Sequence, residues 1–133
     1  MVNDPIGDLL VRIKNGGSVK KTEIRVPCSR MKETILKILS GAGYVAGYEL
    51  QENPGRRKEL VVKLKYDSRS VHAIKGVKRM STPGCHIYIS SSEINQRIRG
   101  RDKLGIISTS RGVVSHYEAK KQGLGGKFLA VIW

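Results

Sequence analysis

A chain of 133 residues, 39% of them apolar, is long enough to bury one ordinary core or two small ones without staples. Its charge is lopsided: 25 Lys and Arg stand against 11 Asp and Glu, a net +14. Residues 1–70 carry 14 cations and 8 acids, +6, and residues 71–133 carry 11 and 3, +8, so the charge clothes a folded body rather than a tail and points to a polyanionic partner. A membrane is not expected to be that partner. No run of 18 apolar residues exists, and MVNDPIGDLL lacks the basic and long apolar regions of a secretory signal, so the chain is expected to stay where it is made. Cys28 and Cys85 lie far apart with no CxxC pair, which suggests free buried thiols in a reducing compartment.

In chain order, NDPIGDLLVRIKNGGS predicts a helix. Asp4 suits its cap and Pro5 its first position, Ile6, Leu9, Leu10 and Ile13 share a face, and Asn15-Gly16-Gly17 ends it. TEIRVP alternates as a strand with Ile24 and Val26 on one side. A second helix starts at Ser29, with Met31, Ile35, Ile38 and Leu39 as its stripe and Gly41 and Gly43 as its stop. Residues 44–50 and 58–66 read as a hairpin around Pro54-Gly55. The pattern breaks at DSRSVH, so residues 1–67 are expected to form an N-terminal α/β unit of helix, strand, helix and hairpin.

Residues 68–133 read as a strand-rich unit with a short helix, which makes the fold class α+β. Its strands are HAIKGVKRMS, then Cys85 to Ser90 after the turn Thr82-Pro83-Gly84, the segment IIS, and FLAVIW. A short helix runs from Ser92 to about Ile98. A further helix is marked by Ser115 and Glu118 as a capping box and by Gly123 as its stop.

Catalytic and metal chemistry find little support. His72, His86 and His116 have no ligand spacing, and adjacent Cys85 and His86 in a strand point to opposite faces. Ser110, His116 and Asp102 could in principle assemble a nucleophile, but nothing resembles a nucleophile elbow and exposed loop residues explain the same letters. Gly123-Leu124-Gly125-Gly126 lacks the Lys-Ser/Thr of a phosphate loop; a helix stop explains it, although glycines also let backbone approach a bound polyanion. No enzyme activity, metal, cofactor or small-molecule substrate is therefore expected.

Arg56-Arg57-Lys58 sits at the hairpin tip, and RIRGRDK would place Arg97, Arg99 and Arg101 on one side if extended, with Lys103 beyond. Any one of these runs alone reads as a solvated face, but on a chain of this net charge they favour phosphate binding. Only seven aromatics occur, Tyr44, Tyr48, Tyr66, Tyr88, Tyr117, Phe128 and Trp133, with no stacking series for sequence-tolerant single-strand binding. Folded RNA fits better, because short hydroxyl and glycine groups such as Ser108-Thr109-Ser110 suit a shallow minor groove lined with 2′-hydroxyls. The alternative for these three residues is a local turn that satisfies its own backbone.

STSRGV, then Glu118-Ala119-Lys120, then QGLGGKFLAVIW resembles the signature of the bacterial-type small-subunit ribosomal protein eight family. NDPIGDLLVRIKNG, the segment with Pro27, Ser29, Arg30 and Lys32, and the R-x-S-x-PG-x-x-IY segment ending at Tyr88 are similar to that family in the same order. The resemblance implies a two-domain structural protein of the small subunit of a cytoplasmic bacterial or an organellar ribosome. Its implied partners are the central domain of small-subunit rRNA, which it binds and helps fold, neighbouring small-subunit proteins and its own operon's mRNA, whose translation it would repress.

Carried onto this chain, the resemblance puts Ser108, Thr109 and Ser110 in an RNA minor groove with Arg111 and Tyr88 beside them. Pro83, Gly84, Gly125, Gly126 and Lys127 flank that site, and Lys14, Asn15, Ser29, Arg30 and Lys32 form a second contact from the first domain. The chain departs from the family pattern at Lys127, where Glu is common, at Arg101-Asp102-Lys103, and at Ser115-His116-Tyr117. A carboxylate's role does not transfer to Lys127. The reading that competes with this resemblance is a non-ribosomal basic protein that binds RNA or DNA architecturally.

Overall fold

A computed structural model describes residues 5–52, 54–55, 57–82, 84–98 and 102–133, which leaves the expected cap Asp4 outside the described residues. The architecture is α+β, in two compact units, Pro5–Lys75 and Gly76–Trp133. Residues 68–75 fold with the first unit, beyond the boundary expected at 67/68, because Tyr66 and His72 form an antiparallel bridge and the Ala73 N–H donates to the Lys65 carbonyl at 3.0 Å.

The first unit runs α1 (Pro5–Ser18), β1 (Glu23–Pro27), α2 (Arg30–Gly41), β2 (Val45–Gln51) and β3 (Glu59–Leu64), with an antiparallel sheet ordered β1-β3-β2. Helix α1 buries Ile6, Leu9, Leu10 and Ile13, the face that the periodicity predicts. It does not stop at Gly16-Gly17. A Cβ on Gly16 would lie 2.7 Å from an Ile24 methyl, and one on Gly17 would fall 2.0 Å from the His72 ring, so both glycines are seats for packed side chains. The stop comes later, where Lys20 takes a φ of 59° and the Lys21 N–H reaches back to the Gly16 carbonyl at 3.0 Å.

The stripe of α2 is Lys32, Ile35, Leu36 and Leu39, not one through Met31 and Ile38; Met31 is 42% exposed. Lys32 enters this buried face because its long apolar stem packs while its Nζ reaches the Pro27 carbonyl at 3.5 Å. Ser29 caps α2 by accepting the Lys32 N–H at 3.2 Å, and Gly43, with a φ of 82°, closes its end.

The second unit contains β4 (Val77–Arg79), β5 (Tyr88–Ile89), α3 (Ile94–Arg97), β6 (Leu104–Thr109), β7 (Gly112–Ser115), α4 (His116–Gln122) and β8 (Gly126–Ile132). All pairings are antiparallel, in the order β4-β8-β6-β7, with β5 also on β8. Strand β7 is absent from the sequence expectation; it returns from the Ser110-Arg111 turn and pairs Val113 with Ser108 and Val114 with Ile107. The expected strands at 72–81 and 85–90 shorten to three and two residues. One sheet face packs Ile89, Ile107 and Phe128 against Ile94, Ile98 and Ala119.

Helix α4 has its Ser115 cap on the Glu118 N–H at 3.3 Å and its left-handed Gly123. The box is half made, because the Glu118 carboxylate accepts from Gln122 at 2.7 Å. Both cysteines are free, but Cys85 is exposed and Cys28 only partly covered, so the expectation of buried thiols does not hold.

The seats under α1 give a stability test. Gly17→Ala forces a methyl into the His72 ring and should cost about 1–3 kcal/mol by urea denaturation, as overpacking does. Gly41→Ala, where a Cβ meets nothing within 4 Å, should be neutral or slightly stabilising, so equal losses in both variants would remove the packing explanation.

Candidate nucleic-acid interface

The three hydroxyls of the 108–110 segment are not equivalent. Thr109 faces Gly112 across the β6–β7 hairpin, and its Oγ1 accepts the Arg111 N–H at 3.1 Å while donating to the Gly112 carbonyl at 2.8 Å. Gly112, with a φ of 110°, supplies the backbone that this tight return needs. Thr109 thus locks the turn, the local role that the sequence left open. Ser108 and Ser110 have no side-chain hydrogen bond among the described residues, and Ser110 and Arg111 are exposed at the tip.

Ser108 belongs to a row that crosses three strands. It lies opposite Lys127 on β8, which lies opposite Tyr88 on β5, and aligned residues on antiparallel strands share a face. Their neighbours Ile107, Phe128 and Ile89 turn to the helix-covered core, so the row is the other side of the sheet. Tyr88 is 65% exposed there.

Two glycines permit this closeness. A Cβ on Gly126 would sit 2.1 Å from the Ser108 carbonyl oxygen, and one on Gly125 would sit 2.6 Å from that of Ile89. Their main service is strand approach, beyond the helix stop that the sequence suggests. Gly84, by contrast, has open space around it and sits in a turn closed by Thr82 and Cys85, which exchange backbone hydrogen bonds of 2.9 and 3.1 Å. Pro83, also in the expected site, lies outside the described residues, as do Arg56, Arg99 and Arg101.

Ser81 is a residue whose role sequence reasoning missed. It is fully buried, and its Oγ donates to the Ile87 carbonyl at 3.1 Å and accepts the Ile87 N–H at 2.9 Å. This clamp sets the strand that carries Tyr88. The Ser within the R-x-S pattern was the available signal, but a buried hydroxyl that bonds backbone in both directions is not distinguishable from a surface one by its letter.

In the first unit, Lys14 and Asn15 are exposed near the end of α1. Arg30 is exposed at the start of α2, Ser29 is occupied as its cap, and Lys32 is only 7% exposed with its ammonium at Pro27. No hydrogen bond or ion pair links the two groups among the described residues. A groove of about 580 Å³ beside Asn15 is lined by Arg12, Lys21 and Arg25 with Glu23. Arg12 pairs with Asp8 at 3.3 Å, so Lys21 and Arg25 are the cations that this groove adds to the expected set.

The sequence model of the family described as Ribosomal protein S8 matches residues 4–133. The chain belongs to the ribosomal protein S8 family. The small ribosomal subunit protein uS8 of Syntrophobacter fumaroxidans is 39% identical over 132 residues, 99% of this chain and 98% of the relative. Those of Dehalococcoides mccartyi and Persephonella marina are each 38% identical, over 134 and 137 residues, and both alignments cover 100% of either chain. Membership in the S8 family makes this a structural ribosomal protein, not an enzyme.

His116 has a structural place in the fold. It is 5% exposed, its Nδ1 accepts the Gly105 N–H at 2.8 Å, and its ring lies against Tyr117 with centroids 3.8 Å apart. Burial pushes its pKa below the ordinary 6.5, and the charge of Lys120 acts in the same direction. His72 is also lowered by burial.

Both histidines bind protons more readily unfolded than folded. Their stability contribution is therefore fully present above the ordinary imidazole value and declines as pH falls below it toward the lowered folded values. Urea midpoints should drop between about pH 7.5 and about pH 5, and His116→Asn, whose amide oxygen can accept the same N–H, should flatten part of the slope. A variant slope identical to the parent's would clear His116 of any part in it. Ser81→Ala leaves a buried Ile87 N–H without its partner and should cost about 1–3 kcal/mol in the same assay.

Proposed function

We propose that this S8-family chain binds the central domain of small-subunit rRNA directly and holds a helical region of it in its folded form during subunit assembly. The observation that carries the reading is the Tyr88–Lys127–Ser108 row continued by the exposed Ser110 tip. Ser108 and Ser110 offer hydroxyls with no partner among the described residues, which can donate to and accept from 2′-hydroxyls and base edges in a shallow minor groove. Lys127 and Arg111 bring positive charge to the flanking phosphates. Lys14, Asn15 and Arg30, with Lys21 and Arg25, form a backbone-contacting set in the first unit, while Ser29 and Lys32 shape the corner that presents Arg30. Neighbouring small-subunit proteins are the other partners.

A stem of like shape in the operon's own mRNA would compete for the same row, which supplies a physical basis for feedback repression. Competition between the two RNA fragments for one site is the corresponding observation.

The test is binding of the full chain to a central-domain rRNA fragment, a same-length unrelated RNA and a duplex DNA across a salt series. Selective binding to the fragment that persists at moderate salt is expected. Equal, equally salt-sensitive binding to all three would reduce the protein to a general basic binder. Ser110→Ala should weaken fragment binding by about 1–3 kcal/mol without lowering stability, whereas Arg30→Ala should weaken all RNAs and reduce the salt slope by about 1.

A further inference from the structure

The second unit has a concave feature on the sheet face away from the hydroxyl row. A cavity of about 330 Å³ is floored by Phe128, Val131 and Met80 and rimmed by Lys78, Arg97, Lys103 and Trp133. Phe128 and Val131 pack in the helix-side core, so this cavity belongs to the sheet face opposite Lys127. Its size is at the small end of ligand sites, which run from about 300 to 1,000 Å³. A duplex does not enter such a space; a single flat group does.

Trp133 is fixed at the rim by the chain itself. Gly76 and Trp133 exchange backbone hydrogen bonds of 2.9 and 3.0 Å, and a Cβ on Gly76 would lie 2.5 Å from the indole ring. The ring therefore rests on the Gly76 backbone while staying 38% exposed. Around it, Lys78 and Lys103 have no ion-pair or hydrogen-bond partner for their ammonium groups among the described residues, and Arg97 has only a loose exposed pair, 3.9 Å to Glu93. The rim offers cations and an aromatic face, over an apolar floor.

We propose that this cavity takes one unpaired, unstacked nucleotide of RNA, with its base against Trp133 and the apolar floor and its phosphates on Lys78, Lys103 and Arg97. A nucleotide joins a flat, π-faced ring to an anion by a short tether, and the rim presents the complement of both parts. A peptide of acidic residues would meet the cations but place no flat group over the floor, and an acidic peptide with aromatic residues lacks the short, fixed tether between ring and anion. The inference rests on the RNA-binding reading and adds to it a single-stranded element, a bulge or a loop nucleotide, outside the stem recognised by the serines.

Trp133 is the sole tryptophan, so its fluorescence reports occupancy directly. The full chain is titrated with a short oligoadenylate, with the same oligomer made abasic, and with a peptide of alternating Glu and Phe. Saturable quenching by the oligoadenylate is expected, with the abasic oligomer binding about tenfold or more weaker and leaving the fluorescence unchanged. Lys78→Gln/Lys103→Gln, surface changes that leave the core intact, should weaken the oligoadenylate about tenfold at low salt. Gly76→Ala should displace the ring and abolish quenching.

Equal affinity for intact and abasic oligomers, or tighter quenching by the peptide, would overturn the proposal. The two readings separate in the Ser110→Ala variant. There the quenching should be unchanged while rRNA-fragment binding falls; in the parent chain, quenching without fragment selectivity would sink the stem reading alone, and fragment selectivity without quenching would sink the cavity alone.

Discussion

A side chain on residue 126 would put its first carbon 2.1 Å from the Ser108 carbonyl oxygen and 3.1 Å from the Thr109 Cα. Strand β8 can come this close to β6 only as glycine, and just before it Gly125 does the same against Ile89 and Ser90 beside β5. The first consequence is geometric: Lys127 is pinched between Ser108 and Tyr88, and three side chains of the proposed contact row are brought together from distant parts of the sequence. The second is mechanical. A row held by backbone pairing on both sides needs no reorganisation to meet a ligand, which is the property that makes hydrogen-bond donors and acceptors effective in recognition.

The rest of the second unit supports that pinch. Ser81 ties down the approach to β5 from within the protein, Thr109 ties down the far end of the hairpin, and Phe128 and Ile107 fill the space beneath. At the register shift beside Ile106 and Ile107, the Leu129 carbonyl collects the Met80 N–H at 3.0 Å and an Arg79 guanidinium nitrogen at 2.6 Å, so the irregular stretch of β8 is still satisfied. Of the three adjacent hydroxyls, one is spent on structure so that the other two can be offered outward. The same division recurs at α2, where Ser29 and Lys32 are used internally and Arg30 is left facing solvent.

Much of this was legible in the sequence wherever periodicity decides. The apolar faces of α1 and β1 and the caps of α2 and α4 follow from letter and spacing, because one residue type at one spacing has one physical use there. Legibility failed where a letter has two uses. Gly16 and Gly17 read as a stop, yet they are packing seats, since both uses need the absence of a Cβ and only the tertiary neighbour distinguishes them. Lys32 reads as a surface cation until its stem is counted as apolar length. Strand β7 was missed because four residues beginning with glycine carry no alternation of their own, and only pairing with β6 makes them a strand. The cavity at Trp133 joins Lys78 and Trp133 to Arg97 and Lys103 of one basic run, three distant segments that no local pattern could have united.

Lys127 changes what the row can read. A carboxylate at this position would accept hydrogen bonds and repel phosphate, whereas an ammonium carries three donors and no acceptor. With it, the acceptors remaining in the row are the hydroxyls of Ser108, Tyr88 and Ser110. Hydroxyls rotate to suit their partner, so the row keeps the ability to accept a hydrogen bond from a 2′-hydroxyl or an exocyclic amine, but only through those three atoms. The ammonium meanwhile gains direct attraction for the backbone. On the proposed RNA-binding reading, recognition would shift from a fixed acceptor toward phosphate attraction plus adaptable hydroxyls, in keeping with a body whose second half carries 11 cations against 3 acids. On that reading, discrimination by shape and 2′-hydroxyl would fall more heavily on Ser108 and Ser110 than it would with an acid between them.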